Sequence, residues 1–258
     1  MNFFRTQYVA YVTMMRREYI RIVRIWAQTL LPPLITTGLY FLIFGQLIGS
    51  QVGGVAGFSY MQYIAPGLIL MSLATAAFTN VVFSFYFSKF QRSLEEVLVA
   101  PVHPFTIVLG FVSGGVIRAL LVTLLSILMM LLFIPLSVAS LSAVVFFSLG
   151  TALLFSLGGM INAIYANKID SLSIFSTFIL TPLTYFGGVF YSLSLLPEFW
   201  QKLSYLNPVM YLINGFRYGF LGVSDVSIWV CASVLSGLII AAVLWLLVLF
   251  KQGRGLKI

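Results

Sequence analysis

The chain alternates between long apolar runs and short polar stretches. Residues 25–88 contain no Asp, Glu, Lys or Arg. A run of roughly 20 apolar residues crosses a bilayer as a helix. Six such runs stand out, at 27–48, 60–87, 105–133, 141–164, 172–189 and 228–250. The pattern predicts an all-α polytopic membrane protein with six transmembrane helices. The loops between runs are too short to fold separately, so 1–258 is read as one transmembrane domain.

Two segments fit neither a span nor a loop. Within 1–26, Arg17, Arg21 and Arg24 share one helical face, while Tyr19, Ile22, Val23 and Trp26 share the opposite one. That predicts an amphipathic helix lying in the membrane interface. It serves either as an orientation signal or as a brace for a partner. Residues 190–227 are too apolar for a free loop and too polar for a span. Two half-helices broken at Asn207-Pro208 and dipping into the bilayer fit them best.

The remaining segment, 88–104, is the densest in charge between the runs, with Lys89, Arg92, Glu95 and Glu96. A short helix ended by Pro101 and Pro104 would lie in water beside the membrane. It is read either as a solvated connector or as a docking helix, in which Arg92, Glu95 and Glu96 make ion pairs and Leu94, Val97 and Leu98 supply apolar anchors.

Composition agrees. Charged residues make up 8% of the chain, against about 25% in soluble domains. The net charge of +8 is not a nucleic-acid signature here, because the cations gather at span ends. With six spans, 11 of the 14 Lys and Arg residues fall on the side of the termini. The positive-inside tendency then places both termini and the 88–104 segment in the cytoplasm. The N-terminus does not read as a cleavable signal, since its apolar run begins late and runs on too far.

Catalytic patterns are missing. None of the five lysines follows a glycine, so there is no phosphate-binding GxxxxGK[ST] loop. His103 is the sole histidine and Cys231 the sole cysteine, which leaves no metal or thiol constellation. The chain is therefore read as a non-enzyme. The spans carry no acidic residue, so a proton or sodium relay is hard to build. Arg118 is the single charge well inside a span. It lies 13 residues beyond Phe105, about 20 Å along a helix. It is either a substrate or gating contact or a structural arginine bonded to backbone and polar neighbours. Gly110 and Gly114 form a GxxxG spacing that lets helices approach closely. Without an internal fuel, the energy for transport has to come from another chain.

Two stretches resemble the ABC-2 type permeases, membrane subunits of bacterial ABC exporters of the polysaccharide and multidrug type. The run from Lys89 to Val102, KFQRSLEEVLVAPV, is similar to the family's segment after its second span. The run from Leu206 to Gly222, with Asn207-Pro208 and Arg217-Tyr218, is similar to its signature before the last span, and Gly187-Gly188 before it also fits. The resemblance implies an inner-membrane permease pairing with a second copy, most simply as a homodimer. Two ATP-binding subunits would bind ATP and Mg, leaving this chain without a cofactor. Arg92, Leu94, Glu95, Glu96, Val97 and Leu98 would form the coupling helix on that subunit. Asn207, Pro208 and Arg217 would belong to a re-entrant periplasmic gate. Tyr40, Phe41, Phe44, Asn80, Phe83, Tyr185 and Phe186 are candidates for lining the path of an amphiphilic cargo, unless they face lipid or the core. A scaffold or a channel that binds a soluble partner without ATP-driven transport is the competing reading.

Overall fold

Each apolar run becomes a helix, and the polar stretches cap them. The computed structural model describes residues 3–49, 54–55, 57–135 and 137–253. Part of the link between the first two apolar runs, and the tail cations Arg254 and Lys257, lie outside them. In order, the helices are α1 Phe3–Arg24, α2 Trp26–Tyr40 (passing into a π-helical stretch Phe41–Ile48), α3 Tyr60–Phe90, α4 Ser93–Val99, α5 Pro104–Met130 and α6 Leu141–Tyr165. Then follow α7 Ile169–Phe175, a π-helical turn Ser176–Leu180, α8 Thr181–Tyr185, α9 Glu198–Tyr205, α10 Pro208–Leu221 and α11 Ile228–Gln252. Among the described residues no strand forms beyond one isolated bridge, Val55 to Phe58.

The bundle is built around α3, with 22 of its 31 residues buried. Ser59 starts it with a capping box: Gln62 N donates to Ser59 Oγ at 3.3 Å, and Ser59 N donates to Gln62 Oε1 at 3.1 Å. Small residues on α3 and its neighbours let backbones meet. A Cβ added at Gly159 of α6 would lie 2.5 Å from the Phe78 carbonyl oxygen. That close approach is what packing in lipid selects, because apolar side chains gain little there by leaving the tails. Two apolar clusters stack along α3. One gathers Ile64, Leu68, Phe147 and Phe216. The other gathers Phe78, Phe85, Phe111 and Leu246.

At 1.5 Å per residue α3 is about 46 Å long, more than the roughly 30 Å hydrocarbon layer. One end therefore projects beyond the apolar layer, and the Phe90 end leads into α4. Among the described residues five helices are long and apolar enough to cross a membrane: Trp26–Phe44, α3, α5, α6 and α11. The sixth expected span, 172–189, appears instead as the broken run α7, π turn, α8 over 169–185. Its interruption has a local cause. Pro182 has no N–H to donate, and the turn widens before it, with Thr181 N bonded five residues back to Ser176 O. A count of six is thus not established by helix length. The 190–227 segment does break at Asn207-Pro208, into helices of 8 and 14 residues. Both are too short to cross.

Candidate functional site

Three regions hold the polar chemistry: the elbow where α3 meets α4, a groove beside Arg118, and the end built by α9 and α10.

At the elbow the chain turns through Arg92, whose φ of +59° is left-handed and costs a non-glycine residue about 1 kcal/mol. Ser93 Oγ donates to Ser88 O at 3.1 Å and closes the turn. Leu94 is fully buried, and Val97 and Leu98 pack half-buried on the Phe85 cluster. Leu94 thus anchors α4 to its own bundle and is not offered outward, a correction to its expected place among the partner contacts. Arg92, Glu95, Glu96 and Val99 face out, Val99 at 88% exposure. None of these charges is ion-paired among the described residues. Lys89, counted among the aqueous cations, is buried, and its Nζ donates to Ile164 O at 3.2 Å. There it neutralises the carbonyl end of α6.

Against the elbow lies α1, and its buried seam is not the one the helical wheel marked. Met14, Glu18 and Ile22 face inward, while Tyr19, Val23 and Trp26 are about half exposed. Gln7 accepts from His103 N at 2.9 Å and from Thr106 Oγ1 at 2.8 Å. Further along, Met14 sits over Gly110 and Glu18 over Gly114, where an added Cβ would come 2.7 Å from each side chain. The GxxxG spacing of α5 therefore receives α1, and the two helices run side by side in the same direction.

Glu18 is the centre of this contact. It is 1% exposed. Ser84 Oγ of α3 donates to it at 2.5 Å, and Arg21 Nη2 at 2.6 Å. Arg21 also donates to Asn80 Oδ1 at 3.1 Å. A carboxylate with that many partners is satisfied despite burial. The network ties α1 to the stretch of α3 just before the elbow. A pocket of about 320 Å³, bordered by Arg17, Arg21, Ser84, Ser88 and Ser93, opens beside it.

The groove lies between α2 and α3. It holds about 290 Å³ and is bordered by Pro32, Thr36, Leu68, Met71, Thr75, Thr79 and Arg118. Arg118 Nη2 donates to Thr29 O at 3.0 Å, and Nη1 makes a long 3.5 Å contact with Thr79 Oγ1. Thr29 is one turn past the start of α2, so Arg118, midway along α5, sits where α1 gives way to α2.

The expected path residues divide into four groups. Tyr40, Phe44 and Tyr185 join one aromatic cluster with Phe190, the Tyr40 and Tyr185 hydroxyls 2.5 Å apart. Phe186 stacks on Trp200. Phe83 is exposed beside the elbow pocket. Phe41 and Asn80 are interior, Phe41 against Phe133 and Asn80 against Arg21. These two do not reach an open surface of this chain.

At the far end Asn207 caps α10, accepting from Val209 N at 3.0 Å, and its amide donates to Leu183 O at 2.6 Å. Pro208 fills the first helical position, where no donor is needed. Arg217 is 1% exposed. Its guanidinium donates to Tyr63 O at 3.3 Å, Tyr63 Oη at 3.0 Å and Gly188 O at 2.6 Å, and lies 4.0 Å from the Tyr63 ring centroid. It joins α10, α3 and the Gly187-Gly188 turn.

Sequence reasoning missed Glu18 and Asp225. The second accepts from Ser192 Oγ at 2.6 Å and Leu193 N at 3.1 Å. A signal for Glu18 was present: it is the lone acid among the five arginines of α1 and its flank, three residues before Arg21.

The comparisons with known proteins agree with this architecture. The ABC-2 type transporter family pattern matches residues 9–221. The chain is 52% identical over 250 residues to an inner membrane transport permease, YadH, of Escherichia coli K12, covering 97% of this chain and 98% of the relative. It is 31% identical over 185 residues to nodulation protein J of Sinorhizobium fredii, covering 70% and 69%. A multi-pass helical bundle with an outward-facing charged elbow and this relationship lead to one placement: the chain belongs to the ABC-2 type transporter family and is a transport permease.

Proposed function

We propose that the chain is the membrane subunit of an ABC exporter, driven by a separate ATP-binding subunit that grips α4. The carrying observation is the elbow. Leu94 roots α4 in the bundle while Arg92, Glu95, Glu96 and Val99 face out unpaired. A short helix with free acids and one bare apolar residue suits a cleft in a soluble partner.

In this reading α4 and both termini lie in the cytoplasm, supported by the weight of Lys and Arg on that side. The broken run 169–185 counts as the sixth crossing. The α9–α10 pair closes the opposite end from within the bilayer. Two copies face each other through two of their exposed walls: α2, of which little is buried, and the α8 end, with Tyr185 and Phe186 on its outer side. ATP closes the two partner subunits, α4 moves with them, and α3 carries the motion inward. Glu18 makes α1 travel with α3.

The test is co-purification with the ATP-binding subunit. Reversing both acids, Glu95→Lys with Glu96→Lys, is expected to weaken association by about tenfold or more and to lower the ATP turnover of the pair. Unchanged association and turnover would remove α4 from the coupling role.

A further inference from the structure

The two inward-lying arginines are held in opposite ways. Arg217 spends its guanidinium on three hydrogen bonds and a ring. Arg118 makes one good hydrogen bond, to Thr29 O, and its Nε is buried with no partner at all. A guanidinium carries five N–H donors, so most of this one is unspent. Nor do the described residues supply a counter-charge. The chain's six acids are Glu18, Glu95, Glu96, Asp170, Glu198 and Asp225, and no described carboxylate is ion-paired with Arg118. Arg21 is near enough to repel it.

The surroundings of Arg118 define what would complete it. Along the groove the hydroxyls of Thr79, Thr75 and Thr36 follow one another, and Pro32, Leu68 and Met71 supply apolar wall. Arg118 stands at the end of the groove nearest α1, level with Thr29 and midway along α5. The volume of about 290 Å³ suits a head group with the start of a tail. An anion drawn to Arg118 would meet charge-assisted bonds from its unspent N–H donors, while Thr79, whose own hydroxyl proton goes to Thr75 O at 2.7 Å, steadies Nη1 as an acceptor.

We propose that this groove takes the acidic head group of an amphiphile, a phosphate or carboxylate on an apolar tail, and that such an amphiphile is the cargo. The cargo half rests on the exporter reading above; the binding half does not.

Two measurements test it. In the first, the full chain in neutral detergent is mixed with equal amounts of phosphatidylglycerol and phosphatidylcholine, and the bound lipids are counted by native mass spectrometry. The wild type is expected to prefer phosphatidylglycerol. Arg118→Gln reduces that preference about tenfold. Arg118→Lys keeps most of it, and Thr79→Val gives a partial loss if the glutamine variant does not fold. Arg16→Gln, on the exposed face of α1, is the control for diffuse charge and changes the preference less than about twofold. No preference in the wild type, or equal losses in Arg118→Gln and Arg16→Gln, overturns the proposal.

In the second, the chain and its ATP-binding subunit are placed in phosphatidylcholine vesicles doped with fluorescent phosphatidylglycerol or phosphatidylcholine. ATP is expected to move the acidic lipid several-fold faster, with the difference lost in Arg118→Gln. Equal movement of both lipids overturns the acidic cargo and leaves the exporter reading intact. Acid-selective binding with ATP turnover but no movement makes the groove a resident-lipid site and overturns the cargo half. If no ATP-binding subunit associates, the exporter reading fails while the lipid count still decides the binding half.

Discussion

Replacing Arg217 by Ala is expected to cost the fold about 4 kcal/mol, the largest single loss in the chain. The side chain is 1% exposed, and three acceptors from two distant stretches converge on it. Removing it leaves Tyr63 O and Gly188 O without their donors in a site that water does not reach, and opens a cavity the size of a long side chain. Hydrogen bonds to a charged donor are worth roughly twice those between neutral groups. Thermal unfolding in detergent should show the midpoint falling on the order of 10 °C. Arg217→Lys should lie between, because a compact ammonium cannot reach all three acceptors and the ring at once. An unchanged melting curve for Arg217→Ala would mean that α10 is held by its apolar seam alone. That seam is real: Gly215 and Gly219 sit against Phe147 and Val144 of α6.

Glu18→Ala is expected to loosen α1 by on the order of 3 kcal/mol, since it strands a buried hydroxyl and an arginine that have no second acid. Arg21 would keep Asn80 Oδ1, and Ser84 would lose its acceptor. The natural readout is trypsin, which cuts after arginine, and α1 carries Arg16, Arg17 and Arg21 in packed helix. Cleavage there requires local opening, so its rate should rise roughly 100-fold in Glu18→Ala. Glu18→Gln keeps an acceptor for Ser84 and should rise far less. Equal cleavage in all three proteins would show that Gly110 and Gly114 hold α1 without help from the carboxylate. In the exporter reading the same variant hydrolyses ATP but moves less cargo per ATP, because α3 then shifts without α1.

What could be read from the chain, and what could not, follows from how far apart the partners are. The runs of apolar residues located α3, α5, α6 and α11 to within a few residues, because crossing lipid leaves a helix no alternative for its backbone. Asn207-Pro208 was legible as a break for an equally local reason, an Asn cap followed by a residue without a donor. The 88–104 helix showed itself by charge and proline.

Apart from the sixth span, interrupted by the widened turn before Pro182, the misreadings are questions of which face meets protein. On α1 the wheel grouped Ile22 with Tyr19, Val23 and Trp26. The structure buries Ile22 and leaves the others outside, because α5 meets only part of the apolar arc. The structural role of Arg217 was not legible, since its acceptors, Tyr63 and Gly188, lie 154 and 29 residues away. Phe41 looked like pathway and is core, since a wheel cannot tell a lumen from Phe133. Leu94 was an anchor, but for its own bundle.

In the exporter reading this chain and an ATP-binding subunit divide the labour, and one measurement tests that division most directly. Purified chain is reconstituted into vesicles with a fluorescent acidic lipid, with and without the subunit, each with and without ATP. Movement is expected only when chain, subunit and ATP are all present. Movement by the chain alone, with no nucleotide, would contradict it.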